Sequence, residues 1–322
     1  MNCSEEIGGF YGLELPSTRQ MLHSRAIRLN TGRNCLRYVI RAYGIKKIFV
    51  SYFTCPVIWE SAEAEGCRVE YYSIDNYFMP IRIFPADSFI LYANYFGVCA
   101  RNVAALSLQY PNLIIDNAQA FYMPPTGIAS FYSPRKFFGV PDGGLLYSLK
   151  ELPTAFPQGE SYHRCSHLLK RLDLSAQAAY VDFRANDEAV GHEPIQIMSK
   201  LTERILQSID YDSIRLKRLE NFEVLHTHLR GSNELDIQLR EDDVPLAYPF
   251  ICENKSLRQQ LIDAKIYIPK YWPGIENYCP LGSVDLALQR DILPIPCDQR
   301  YSHPEMNSIC KIIKSFLHHI CS

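Results

Sequence analysis

The sequence predicts an α/β protein with a central, mostly parallel sheet, helices on both faces and a small C-terminal α+β unit. Three observations carry this. Short apolar runs alternate with helix-spaced segments through the first half of the 322 residues, the rhythm of βαβ units. A composition of 47% hydrophobic and 21% charged residues is enough to build a packed core. After Glu241-Asp242-Asp243 the pattern changes, which divides the chain into a large α/β domain, residues 1–240, and a small one, residues 241–322.

In chain order, Asn30-Thr31-Gly32-Arg33 precedes Leu36, Val39, Ile40 and Tyr43 at helical spacing, and Gly44 closes that helix as a C-cap. Lys47 to Ser51 reads as a strand. Pro56 to Glu65 reads as a helix ended by Gly66, and Val69 to Ile74 as a strand. Ser88 to Asn94 and Leu113 to Asp116 are buried strands, and Ile128 to Tyr132 and Gly144 to Ser148 are two more. From Tyr162 to Arg230 the chain is mostly helical, interrupted by a polar loop at Asn186 to Pro194. The group Arg215, Lys217 and Arg218 reads as the solvated side of a helix. Pro245 to Cys252, Ile266 to Ile268 and Ile292 to Ile295 are expected as strands, with helices over Ser256 to Ala264 and Pro304 to His319.

The formal net charge of -2 leaves no basic footprint for nucleic acid. No run of about 18 apolar residues suggests a membrane span. Met1 to Phe10 lacks the basic start and long apolar stretch of a secretory signal, so the expected location is cytoplasmic. Eleven Cys include no C-x-x-C pair and no zinc-finger spacing, so they read as free thiols, with no metal expected. His318-His319-x-Cys321 reads as solvated tail. The motifs G-x-G-x-x-G, G-x-x-x-x-G-K-[ST], G-x-S-x-G and H-E-x-x-H are absent.

The chemistry centres on Ile114-Ile115-Asp116-Asn117-Ala118-Gln119 and Ser133-Pro134-Arg135-Lys136. An Asp leaving an apolar strand, followed by a Lys in a short polar segment, suits pyridoxal 5'-phosphate (PLP). The Lys forms a Schiff base with the cofactor aldehyde, and the Asp pairs with the protonated pyridine nitrogen. The helix start at Thr31-Gly32-Arg33 can present backbone N–H groups to the cofactor phosphate. Ser133 can add a hydroxyl, with Ser130 as the alternative. Gln119 can reach the ring oxygen, and Tyr52 or Phe53 can stack on the ring. Gly139 and Asp142-Gly143-Gly144 turn the chain back beside the site.

This ordered set resembles fold-type I PLP-dependent aminotransferases, and more narrowly the DegT/DnrJ/EryC1/StrS sugar aminotransferase family. The match is good over residues 28 to 150 and loose over 190 to 322. It includes Lys47 to Asp75 and the turn Asn94-Tyr95-Phe96-Gly97. The resemblance implies a homodimer with active sites at the subunit boundary. It implies amino transfer from glutamate to a nucleotide-linked keto sugar, for polysaccharide or glycan biosynthesis. Lys136 and Asp116 would then be catalytic, with Gly32, Arg33, Tyr52, Phe53, Gln119 and Ser133 holding the cofactor. Three features depart from the family. Cys55 stands where the family usually has a stacking aromatic, Gly191-His192-Glu193-Pro194 replaces its inter-subunit motif, and the chain is short. Two alternatives remain open. One is a sugar dehydratase, although such members replace the Lys by His; the other is a non-catalytic binding or scaffold member.

Overall fold

The computed structural model describes residues 8–16 and 20–318. The expectations about the first residues and about His319 and Cys321 fall outside these segments. Seven strands form the central sheet: β1 (Ile27–Leu29), β2 (Lys47–Ser51), β3 (Arg68–Tyr72), β4 (Ile90–Ala93), β5 (Leu113–Asp116), β6 (Ala129–Tyr132) and β7 (Gly144–Ser148). Their order is β1-β7-β6-β5-β4-β2-β3. All neighbouring pairs from β3 to β6 are parallel, whereas β7 runs antiparallel to both β6 and β1.

Alternation along the strands explains why both faces are covered. Ile48, Val50, Leu91 and Ile114 point to one face. There they pack with Leu36, Val39 and Ile40 of α1 (Gly32–Tyr43) and with Ile58 and Ala62 of α2 (Pro56–Ala64). Phe49, Ile90, Tyr92, Leu113 and Ile115 point to the other. Their partners are Val103 and Leu106 of α3 (Ala100–Gln109), and Phe222, Leu225 and Leu229 of α7 (Tyr211–Leu229). Helix α1 begins at an N-cap Thr31, whose Oγ1 accepts from Asn34 N at 3.0 Å, and ends at Gly44 with φ 63°.

Between β7 and α7 lie α4 (Ser166–Asp173), α5 (Ala176–Gly191) and α6 (Lys200–Leu206). The loop expected from Asn186 is instead the end of α5. Asn186 Nδ2 donates to Pro141 O at 3.0 Å and Asp187 pairs with Arg135, so these polar side chains are spent on other segments rather than competing for their own backbone. The C-terminal part contains a two-stranded antiparallel sheet, β8 (Ala247–Phe250) and β9 (Leu293–Pro296). Around it pack α8 (Leu257–Asp263), α9 (Val284–Asp291) and α10 (His303–His318). Ile266–Ile268 is not a strand. Ile266 N is used to close α8 on Leu261 O at 2.8 Å, Lys265 takes φ 63°, and Pro269 follows. The edge strand β1 and helix α9 carried no signal long enough to be read from the sequence. Among the described residues no helix is long and apolar enough to cross a membrane.

Candidate active site

Side chains with chemical potential collect at the C-terminal edge of the parallel strands, where open α/β sheets bind ligands. Asp116 closes β5. Its carboxylate is buried, 9% exposed, and accepts from Ala118 N at 2.8 Å through one oxygen. Burial raises its pKa above the usual carboxylate value, while the nearby Lys136 charge and the Ala118 N–H oppose that shift. Lys136 lies on the turn after β6, where Lys136 N donates to Ser133 O and Phe137 N to Pro134 O. The Lys136 side chain is exposed and in electrostatic reach of Asp116 and Cys55. The two residues singled out from sequence therefore converge.

Gln119 is buried in the turn that follows Asp116. Its Oε1 accepts from Phe96 N at 2.7 Å, which fixes the amide and leaves Nε2 buried without a partner among the described residues. Phe96 can donate in this direction because it takes φ 55°, and Gly97 follows at φ 69°. A β-carbon at Gly97 would stand 2.5 Å from Val244 O and 2.7 Å from Gln119 O, so only glycine fits.

At the start of α1 the first helical bond is Cys35 N to Thr31 O, and Asn34 N is capped. Among the described residues Arg33 N–H is left as an unspent donor of that terminus, beside Gly32 N–H, which the Thr31–Gly143 bridge directs toward Gly143 O. A β-carbon at Gly32 would lie 3.8 Å from that of Ser133, so this helix start and the Ser133 hydroxyl border one space. Thr31 bridges in parallel to Gly143, and the next residue, Gly144, passes Thr31 O too closely for any side chain. Ser130 is excluded from this group. Its Oγ both donates to Thr126 O (2.6 Å) and accepts from Thr126 N (2.9 Å).

Arg33 keeps its backbone N–H at the helix start, while its guanidinium donates to Gly191 O, at the C-terminus of α5, where carbonyls favour a cation. Two expectations need correction. Phe53 is 0% exposed, stacked on Tyr95 at 5.5 Å with Trp272 edge-on at 4.5 Å, so it has no free face. Tyr52 stacks on Tyr71 at 5.0 Å and feels the charges of Cys279 and Asp285. Cys55, by contrast, is influenced by Lys136, Asp116 and Arg33, with burial raising its thiol pKa. At this end of β2 a thiol thus lies within electrostatic reach of the lysine.

The segment after α5 also packs on this region. Glu193 accepts from Asn30 Nδ2 at 3.2 Å and pairs with Arg164, while Asn34 Nδ2 donates to Pro194 O at 2.9 Å. Asp142, buried, accepts from Ser199 N (3.0 Å), Ser199 Oγ (2.7 Å) and Thr202 Oγ1. Asn30 and Asp142 were named from sequence only as parts of a helix start and a turn, and the partners they and Asn34 take were not foreseen. Their partners lie up to 166 residues away, and no local pattern reveals such pairings.

No protein-family model matches the chain, and no curated protein matches it. Solved structures do. A DegT DnrJ EryC1 StrS aminotransferase from Brucella abortus aligns with TM-score 0.59 and 17% identity, over 90% of this chain and 85% of that one. The aminotransferase TlmJ from Streptoalloteichus hindustanus aligns with TM-score 0.66 and 14% identity, over 92% and 87%. A mutant of the GDP-4-keto-6-deoxymannose-3-dehydratase ColD, with GDP-perosamine bound, aligns with TM-score 0.63 and 15% identity, over 89% and 88%. The mostly parallel sheet flanked by helices, expected from the sequence, is therefore the fold-type I architecture that this chain shares with DegT/DnrJ/EryC1/StrS sugar aminotransferases.

Proposed function

We propose that the protein is a PLP-dependent aminotransferase that takes an amino group from glutamate and passes it to a nucleotide-linked keto sugar. The observation that carries this reading is the convergence of a buried Asp116 on an exposed Lys136 at the C-terminal edge of the sheet. The surrounding residues fit the cofactor. Gln119 offers a buried, unspent Nε2 donor for the ring oxygen. The Arg33 N–H and the Ser133 hydroxyl, beside Gly32, suit the phosphate, and the N-terminal dipole of α1 favours an anion there. Asp116 suits the pyridine nitrogen, with one carboxylate oxygen held by Ala118 N and the other available.

When bound, PLP supplies an electron sink that stabilises negative charge on the carbon next to the amine. Lys136 Nζ has two tasks. It would attach the cofactor, and as a free amine it would take a proton from the donor carbon as base and give one back as acid. Asp116 would hold the pyridine nitrogen of the cofactor through the carboxylate oxygen that Ala118 N does not engage. Glutamate would leave as its 2-oxo acid, with water supplying the keto oxygen and the cofactor keeping the amino group; the same residues would serve the reverse proton movement on the keto sugar, whose oxygen would leave as water. The kinetics are expected to be ping-pong.

We infer in addition a homodimer. Leu172, Leu174 and Val181 on or beside the α4–α5 hairpin stand open to solvent, which supports a contact with a second copy through this face. A second reading, a non-catalytic member of the fold, is favoured by the thiol at Cys55 and by the Arg33 side chain being engaged with Gly191.

Colour decides between the two readings. The protein reconstituted with PLP is expected to show a visible band that shifts when glutamate is added, and Lys136→Ala is expected to abolish the band. A variant that kept it unchanged would remove Lys136 from its role. A protein that never takes up PLP would favour the binding reading. If all keto sugar nucleotides failed to regenerate the glutamate-treated enzyme, the sugar part of the proposal would fall.

A further inference from the structure

Arg218, on α7, is among the largest fully buried side chains, 1% exposed, whereas its neighbours Arg215 and Lys217 are half-buried. A buried guanidinium needs compensation. Here the compensation is incomplete. Asp298, whose charge acts on Arg218, is already paired with Arg300 at 2.7 Å, and Arg218 Nε has no partner among the described residues. Arg218 Nη1 donates to Pro245 O at 3.0 Å and Leu246 O at 3.2 Å. The guanidinium carbon lies over the Phe137 ring, 4.5 Å from its centroid.

Phe137 immediately follows Lys136. Its carbonyl accepts from Gln299 Nε2 at 2.7 Å, so the lysine turn is gripped at both the ring and the backbone. The other end of Arg218 leads to the second half of the site. Leu246 N donates to Phe96 O at 2.7 Å, and Phe96 N donates to Gln119 Oε1. One buried cation thus touches both supports: Phe137 under Lys136, and Pro245–Leu246 behind the turn that orients Gln119.

We propose that Arg218 is a positioning residue for Lys136, holding the lysine turn through Phe137 and keeping it in register with the Gln119 turn through Pro245 and Leu246. The proposal rests on the reading that Lys136 and Gln119 face the cofactor. A guanidinium buried only to fill space would leave the mobility of the turn unchanged when replaced by an apolar chain of similar length.

The test uses the full chain with Arg218→Met, Arg218→Lys and Phe137→Leu. PLP is titrated as the probe, and amide exchange at Phe137 and Phe138 is read in the cofactor-free protein. Arg218→Met is expected to weaken PLP binding about tenfold or more, in line with losing a desolvated cation–π contact. Exchange at both amides should rise by a similar factor, and the pH midpoint of the visible band should move. Arg218→Lys should recover part of both effects, because an ammonium still sits on the ring. Phe137→Leu should reproduce the loss with Arg218 intact, and it decides the matter if Arg218→Met does not fold. PLP affinity and exchange at both amides unchanged in a folded Arg218→Met would overturn the proposal. If the wild type bound no PLP, the cofactor reading would fall, while the exchange measurement would still decide whether Arg218 holds the turn.

Discussion

Asp116 shows how one residue can be tuned for a ligand at the expense of the empty fold. Its folded pKa is raised mainly by burial, so between the unfolded value near 4 and the higher folded value the native state binds more protons than the unfolded chain. Stability of the cofactor-free protein contributed by this group is therefore present at low pH and lost as pH rises through that window. Asp116→Asn is expected to raise the melting temperature of the cofactor-free protein at pH 7 while weakening PLP binding. The gain should vanish as pH approaches 4; calorimetry at both pH values checks it, and a variant less stable at pH 7 would contradict the sign. The positions of Asp116 at a strand end and Lys136 in a short turn were legible because each sits in a strong local pattern. Arg218 was not legible, since Arg215, Lys217 and Arg218 read alike on a helix and only tertiary packing turns one of them inward. Cys55 was noticed as a departure, but its place beside Lys136 required the fold.

Among the elements, the turn at Asn94–Gly97 carries the tightest demand. It takes two successive positive φ values, at Phe96 and Gly97, and in return aims a backbone N–H at Gln119. Gly97→Ala must push aside two carbonyl oxygens, at Val244 and Gln119, and should destabilise by more than about 2 kcal/mol, above the ordinary left-handed strain of about 1–2 kcal/mol. Gly44→Ala is the control. It has nearly the same φ and nothing within 4 Å of a new β-carbon, so it should cost only that strain. Denaturant midpoints read both, and equal costs would sink the argument. The elements legible in the sequence were those with their own punctuation. The strands β2, β5 and β7 agree with the expected bounds, and α1 shows both caps. The end of α5 was not legible, because its polar residues are satisfied by Pro141 and Arg135, far away in sequence.

On the scale of the whole molecule, the mostly parallel sheet and its two-sided core followed from the alternation of strands and helices, whereas the strand order, with β1 and the antiparallel β7 at one edge, and the docking of the C-terminal part did not. That docking depends on α7, whose Asn221 Nδ2 donates to Asp298 O and Tyr301 O at 3.0 Å each. The outer surface carries its own expectation. Leu172 is 84% exposed and Val181 76%, on neighbouring helices of one hairpin. Leu172→Glu with Val181→Glu should convert a two-chain species into a single chain by sedimentation, with the fold intact by circular dichroism. A mass that did not change would place the contact elsewhere.

The antiparallel strand β7 also has a consequence for the order in which the molecule can be made. The start of α1 is held beside Gly143 and Gly144, and β1 pairs with β7 through Ile27 and Leu146, so the two sides of the proposed phosphate cradle come from distant parts of the chain. Closing so long a loop is slow, and it follows the local pairings. During synthesis the cradle is complete only after β7 has emerged and turned back along β6. Capture of a phosphate there reports a finished sheet, and a chain stopped before Gly144 carries Gly32, Arg33 and Ser133 but lacks the strand that holds the start of α1 in place.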